Sequence, residues 1–122
     1  MIDPKELKYT KDDEWVRFDG DDAYIGITDY AQSELGDLVF VNLPEVGDAV
    51  FAGEPLGDVE SVKAVADVFC PVSGEVAEIN EDLLDDASLI NNDPYGAWFI
   101  KVSNITETVE FLTADEYDEY RG

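Results

Sequence analysis

Turn-forming residues interrupt this chain so often that no β-type run exceeds about seven residues. Glu14-Trp15-Val16-Arg17-Phe18 and Ala23-Tyr24-Ile25-Gly26-Ile27 alternate on either side of Asp19-Gly20-Asp21-Asp22, which predicts a hairpin. Leu38-Val39-Phe40-Val41 forms a further run within Asp37–Leu43, stopped by Pro44. From Val46 the spacing becomes regular. Gly47-Asp48 and Gly53-Glu54-Pro55 are turns; Val50-Phe51, Leu56–Val62, Ala64–Phe69 and Glu75–Ile79 are strands. A late strand is expected over Ala97–Val102. Elements this short bury themselves only as a mainly β barrel or sandwich of antiparallel strands.

Small helices attach to this frame. Thr28 is a good N-cap for Asp29–Leu35, which Gly36 ends. Asn80 is placed to cap one turn over Glu81–Asp85. Thr113-Ala114-Asp115-Glu116 is a capping box opening a C-terminal helix over about 114–120. The 122 residues are expected to form a single domain, 1–122, with one core. Two loosely similar pieces, Val46-Gly47-Asp48-Ala49-Val50 and Val72-Ser73-Gly74-Glu75-Val76, hint at quasi-two-fold halves.

Charge narrows the functional classes. Thirty carboxylates face seven basic residues, a formal net charge of −23. The halves 1–61 and 62–122 carry 16 and 14 acids against 4 and 3 bases, so the whole surface is acidic. Such a field repels nucleic acid and anionic membrane surfaces. Adaptation to high salt, where counterions screen self-repulsion, is the expected cause, with an ordinary acidic bacterial protein as the alternative. The chain has no histidine, which removes the Ser-His-Asp and Cys-His nucleophile arrangements. One cysteine, Cys70, cannot form an internal disulfide and is expected to be a small packed side chain. No run is long enough to span a bilayer, and the N-terminal segment lacks the pattern of a secretory signal. A cytoplasmic protein is expected.

The segment Gly57-Asp58-Val59-Glu60-Ser61-Val62-Lys63-Ala64-Val65-Ala66-Asp67-Val68 brings two strands together at Val62-Lys63-Ala64. Tight hairpins usually place Asn-Gly, Asp-Gly or Gly at the tip. This tip has none, and presents one of only five lysines between small apolar neighbours. A lysine held on a rigid turn is well placed for modification, since its stem gives reach while the turn stays fixed. On the local pattern alone, a solvated surface lysine is the commoner outcome.

Gly47-Asp48, Gly53, Leu56-Gly57, Glu60-Ser61-Val62-Lys63-Ala64 and Pro71-Val72-Ser73-Gly74-Glu75-Val76 resemble the lipoyl-attachment region of glycine cleavage system H proteins. The resemblance continues through Glu14-Trp15-Val16, Gly26-Ile27-Thr28-Asp29-Tyr30-Ala31-Gln32, Leu35-Gly36-Asp37, Val39-Phe40-Val41, Leu43-Pro44, Leu89-Ile90-Asn91, Pro94-Tyr95-Gly96 and Trp98. It spans about Lys8 to Tyr120, with separated motifs in family order.

The resemblance implies a lipoyl/biotinyl-type barrel-sandwich and a carrier protein with no active site of its own. Lipoic acid would be joined by an amide to Lys63. The implied partners are a decarboxylating glycine dehydrogenase, which loads an aminomethyl group, and an aminomethyltransferase, which removes it. A dihydrolipoamide dehydrogenase would reoxidise the dithiol, and a lipoate-attaching enzyme would install the arm. A monomer is expected. Carried over residue by residue, Glu14 is the implied amine partner in an arm pocket, with Asp67 second and Asp12 beside them. The family commonly has histidine where this chain has Asp13 and serine where it has Asp12, which makes the implied pocket more anionic. The Pro94-Tyr95-Gly96-Ala97-Trp98 loop looks slightly shorter than usual.

Three other readings are weighed against this one. Lipoyl or biotinyl domains of other complexes are smaller, and flank their lysine differently from Val62-Lys63-Ala64. An H-like protein that relays lipoate to other complexes differs only in its partners. A hydrolase built on a carboxylate pair gains no support from adjacent acids, which thirty carboxylates supply by chance.

Overall fold

The computed structural model describes residues 3–121; Met1, Ile2 and Gly122, the ends of the expected domain, lie outside the described residues. A short 3-10 turn at Pro4–Glu6 precedes β1 (Lys8–Tyr9), β2 (Glu14–Asp19), β3 (Asp22–Ile27) and α1 (Asp29–Leu35). Then come β4 (Leu38–Asn42), β5 (Ala49–Val50), β6 (Pro55–Ser61), β7 (Val65–Phe69) and β8 (Val72–Ile79). The chain ends with α2 (Asp82–Asp85), α3 (Ser88–Asn92), β9 (Ile100–Thr108) and α4 (Ala114–Arg121).

The strands form two sheets, ordered β1-β2-β3-β9-β8-β5 and β4-β6-β7. Every pairing is antiparallel. The architecture is the mainly β sandwich that short runs require, and the core lies between the sheets. Ile25, Val72, Val76, Ile100 and Val102 of the large sheet meet Val41, Val59 and Val68 of the small one. Each such side chain, fully buried, contributes about 1.5–3 kcal/mol relative to exposure. A second cluster, Leu7, Tyr9, Trp15 and Tyr117, lies under α4. Trp15 is fully buried there and donates its indole N–H to the Pro94 carbonyl at 3.0 Å. A Cβ on Gly26 would stand 2.6 Å from that indole, so glycine lets the ring lie on β3.

Several expectations hold in detail. Asp19 pairs with Asp22, leaving a two-residue hairpin loop with Gly20 at φ 62. The Thr28 hydroxyl accepts from the Ala31 N–H at 3.2 Å, and Gly36 ends α1 at φ 81. The capping box is reciprocal: Glu116 N–H donates to Thr113 Oγ1, and Thr113 N–H to Glu116 Oε1. The two similar pieces lie side by side, with Ala49 opposite Glu75 and Val50 opposite Gly74.

Others need correction. The strand expected over Ala97–Val102 begins at Ile100 and runs to Thr108, because Ala97 still donates back to the Asp93 carbonyl. Its polar half was hidden because it pairs with an equally polar partner; Ser103 faces Glu75, and Glu107 faces Ser73. β8 accordingly starts at Val72 rather than Glu75. Asn80 does not cap α2 with its side chain; its carbonyl accepts from the Leu83 N–H instead. The short helix α3 was not expected at all.

Candidate functional site

The β6–β7 hairpin owes its tip to Ser61. Its hydroxyl oxygen accepts from the backbone N–H groups of Lys63 at 3.2 Å and Ala64 at 3.0 Å. The Ser61 N–H donates to the Ala64 carbonyl at 2.7 Å, and Val62 N–H to the Asp37 carbonyl at 3.1 Å. A side-chain turn of this kind does what glycine does at ordinary tips, which explains its absence here. Lys63 stands exposed on this braced turn. Its stem runs past the end of α1, where a Cβ on Gly36 would lie 3.5 Å from Cε. The salt bridges among the described residues use Lys101 and Arg121, and none engages the Lys63 amine.

Asn91 of α3 fixes the neighbouring wall. Its Nδ2 donates to the Gly36 carbonyl and to Gln32 Oε1, both at 2.9 Å, while its Oδ1 accepts from the Leu38 N–H at 2.9 Å. Sequence reasoning assigned no role to Ser61 or Asn91. The signal was a glycine-free tip, whose bonding some nearby side chain had to supply.

A cleft of about 190 Å³ lies between α1 and the small sheet. Leu35, Ala31, Val59 and Ala66 give it apolar walls; Glu14, Asp67 and Asp12 line it too. The structure thus brings together the three expected carboxylates. Lys63 does not line the cleft; it stands on the hairpin that supplies Ala66 and Asp67.

The carboxylates differ in kind. Asp12 and Asp67 are exposed, whereas Glu14 is 3% exposed. Burial pushes the Glu14 carboxyl up to about 8; a hydrogen bond from the Thr10 hydroxyl, at 2.7 Å, opposes this, and the charges of Asp12 and Asp13 add to it. Glu14 and Asp12 also line a second hollow of about 230 Å³, which reaches Cys70 and Leu112. The Cys70 thiol is buried, donates to the Val72 carbonyl, and is pushed up to about 11 mainly by burial. It is the small packed side chain expected, and such a thiol is unreactive near neutral pH.

Asp13 lines the cleft as well, and its carboxylate also accepts from Arg121 Nε at 2.8 Å and Nη2 at 2.7 Å, a pairing that the sequence does not announce. Its Oδ1 also accepts from the Tyr117 hydroxyl at 2.9 Å. The Asp13 charge is therefore paired with Arg121, while still adding to the upward push on Glu14.

The site's elements suit a lipoyl group. A free lysine on a rigid tip offers an attachment point, and a cleft with apolar walls and carboxylates suits a hydrocarbon arm bearing an amine. Comparison with known proteins agrees. The glycine cleavage H-protein family pattern matches residues 7–121. The chain is 58% identical to a glycine cleavage system H protein of Lachnoclostridium phytofermentans, over 95% of this chain and 92% of that one. It is 54% identical to the namesake from Geobacillus kaustophilus, over 97% and 95%. A crystal structure of the Mycobacterium marinum glycine cleavage system H protein superposes with a TM-score of 0.93 at 45% identity, covering 98% of both chains. The chain therefore belongs to the glycine cleavage H-protein family: it is a carrier of the glycine cleavage system that bears lipoate on a lysine, and it is not an enzyme.

Proposed function

We propose that Lys63 is the lipoyl-bearing lysine, and that the cleft holding Glu14, Asp67 and Asp12 shelters the loaded arm. The observation that carries this reading is the hairpin itself. It presents at its tip a braced lysine that forms no salt bridge among the described residues, and it forms one wall of the cleft below.

Lipoate, when bound, supplies a dithiolane whose sulfurs accept electrons and an aminomethyl group. The chain's own residues do the rest. Ser61 holds the tip, so Lys63 would present a lipoyl group from a fixed point, at high effective concentration for a docked partner. Leu35, Ala31, Val59 and Ala66 exclude water from the cleft. Glu14, which burial holds protonated below about pH 8, becomes a carboxylate when a cationic amine enters, and its proton leaves to solvent. Asp67 and Asp12, at exposed positions, attract the cation toward it.

The partners of this reading are the decarboxylating glycine dehydrogenase, the aminomethyltransferase, the dihydrolipoamide dehydrogenase and a lipoate-attaching enzyme. The chain acts as one domain and as a monomer, in a salt-rich cytoplasm that screens its −23 charge. Among the described residues no helix is long and apolar enough to cross a membrane.

The test is intact mass and peptide mapping after incubation with lipoate and a lipoate-attaching enzyme. The wild type should gain one lipoyl unit, on Lys63. Lys63→Arg should gain none while its melting midpoint is unchanged, because an exposed tip side chain adds little packing. Lipoate on Lys5, Lys8, Lys11 or Lys101 would overturn the assignment.

A further inference from the structure

We infer that the outer face of the β4-β6-β7 sheet is the docking surface for the enzyme that acylates Lys63, and that this enzyme meets it with apolar side chains ringed by lysine and arginine. The inference rests on Lys63 as the attachment residue.

The first observation is a β-bulge beside the tip. Leu38 pairs with Ser61 and Phe40 with Glu60, so Val39 is an extra residue in β4. In a regular strand consecutive side chains face opposite sides. Here Val39 and Phe40 are both turned to solvent, 55% and 47% exposed, while Leu38 and Val41 stay buried. Bulges re-aim side chains in this way near functional sites. Val62 and Val65 flank Lys63 and are 71% and 63% exposed. Phe40 and Val65 stand on either side of Glu60, so exposed apolar side chains of β4 and β7 gather on the strands that carry the Lys63 turn, although the chain also exposes large apolar side chains elsewhere.

The second observation is reach. Before modification, Lys63 extends only four carbons from the backbone. An enzyme acting on its amine must touch the hairpin itself, and so covers Val62, Val65 and the neighbouring bulge. In the reaction the deprotonated amine attacks the carbonyl carbon of an activated lipoyl donor, an acyl phosphate anhydride or thioester. The C–N bond forms, the bond to the leaving group breaks with its electron pair, and the amine proton goes to solvent.

The third observation is charge. Glu60, exposed, lies in one cross-strand row between Phe40 and Val65, and Asp58 lies two residues before it, with Asn42 Nδ2 donating to it at 2.6 Å. The strands of this sheet carry no basic side chain of their own. Cationic side chains from a partner supply the opposite charge, which also steers encounter.

The experiment follows lipoate attachment to the full chain by intact mass, as a function of carrier concentration. Val39→Ser combined with Phe40→Ser should raise KM about tenfold with kcat within about twofold, the loss typical of apolar anchors at an interface. Glu60→Lys should raise KM more than Glu60→Gln. Leu84→Ser, an exposed apolar change on α2, should leave KM as it is. Melting midpoints confirm that each variant is folded. Wild-type KM in the double variant, with lipoate mapped to Lys63, overturns the docking surface alone. Lipoate mapped elsewhere overturns the attachment reading instead. A KM for Glu60→Lys equal to or below that of Glu60→Gln overturns the basic partner.

Discussion

Arg121, in the last turn of α4, grips Asp13 through two hydrogen bonds, Nε to Oδ1 and Nη2 to Oδ2. Asp13 sits at φ 70 and lines the cleft with its neighbour Glu14. Tyr117, one turn earlier on α4, donates to the same carboxylate, so its oxygen is left to accept from the Thr28 hydroxyl at 2.8 Å. Thr28 caps α1, one wall of the cleft. One helix therefore ties that wall to the Asp13–Glu14 end of the cleft, across 89 residues of sequence to Thr28 and 108 to Asp13.

That geometry predicts a measurable coupling. Arg121→Gln should cost about 1 kcal/mol, the upper end for a partly exposed ion pair, because the contact is two-pronged. Asp13→Asn keeps a residue that tolerates positive φ and should cost a similar amount. The double variant should cost little more than either single one. Urea melts of the four proteins give the cycle; costs that simply add would show that the two residues do not act together.

Ser61→Ala should loosen the tip without touching Lys63. It removes the acceptor for two backbone N–H groups and should lower stability by about 1 kcal/mol. Hydrogen exchange at the Lys63 and Ala64 amides should quicken locally, while amides of the large sheet keep their protection. Unchanged exchange at those two amides would show that the backbone alone holds the turn.

Much of this was legible in the sequence, for a physical reason. The β2–β3 hairpin, α1 and the capping box depend on neighbours within a few residues, where periodicity and capping chemistry act. The glycine-free turn singled out Lys63, but on that pattern alone a solvated lysine was the commoner outcome, and only the family motif around it pointed to attachment. What escaped depends on distant partners. Asp13 reads as one more acid until Arg121 is folded against it. Glu14 is singled out by the family motif, but its burial stays hidden until the packing around Thr10 and Cys70 takes it out of water. The Val39 bulge is set by the pairing of β4 with β6, and no local pattern announces it.

Salt should stabilise the fold. Among the described residues only Lys101 and Arg121 form salt bridges, against thirty carboxylates in the chain. The remaining acids repel one another over a screening length of about 30 Å at 0.01 M salt, about 10 Å at 0.1 M and about 3 Å at 1 M. A melting midpoint followed across KCl at fixed pH should therefore rise steeply at first and flatten toward molar salt. A midpoint that is flat or falls over this range would remove the case for salt adaptation.

Glu14 should make stability fall as pH rises. Its unfolded carboxyl titrates at the ordinary value of 4.5, while burial holds the folded one up to about 8. Between those values the folded state carries a proton that the unfolded state has lost. Raising the pH then favours unfolding, with a slope approaching 1.4 kcal/mol per pH unit, and the effect levels off above about pH 8. Below 4.5 both states are protonated and the contribution vanishes. Glu14→Gln keeps the shape and an acceptor for the Thr10 hydroxyl but cannot ionise. The stability difference, variant minus wild type, should be constant in acid, climb between about pH 5 and 8, and plateau beyond. Other carboxylates titrate in both proteins, so their contributions cancel in the difference to the extent that Glu14 leaves their environment alone. Urea melts of both proteins from pH 4 to pH 9 measure it. A difference that stays level across the range would mean that Glu14 titrates like an exposed carboxylate and stands ionised at neutral pH.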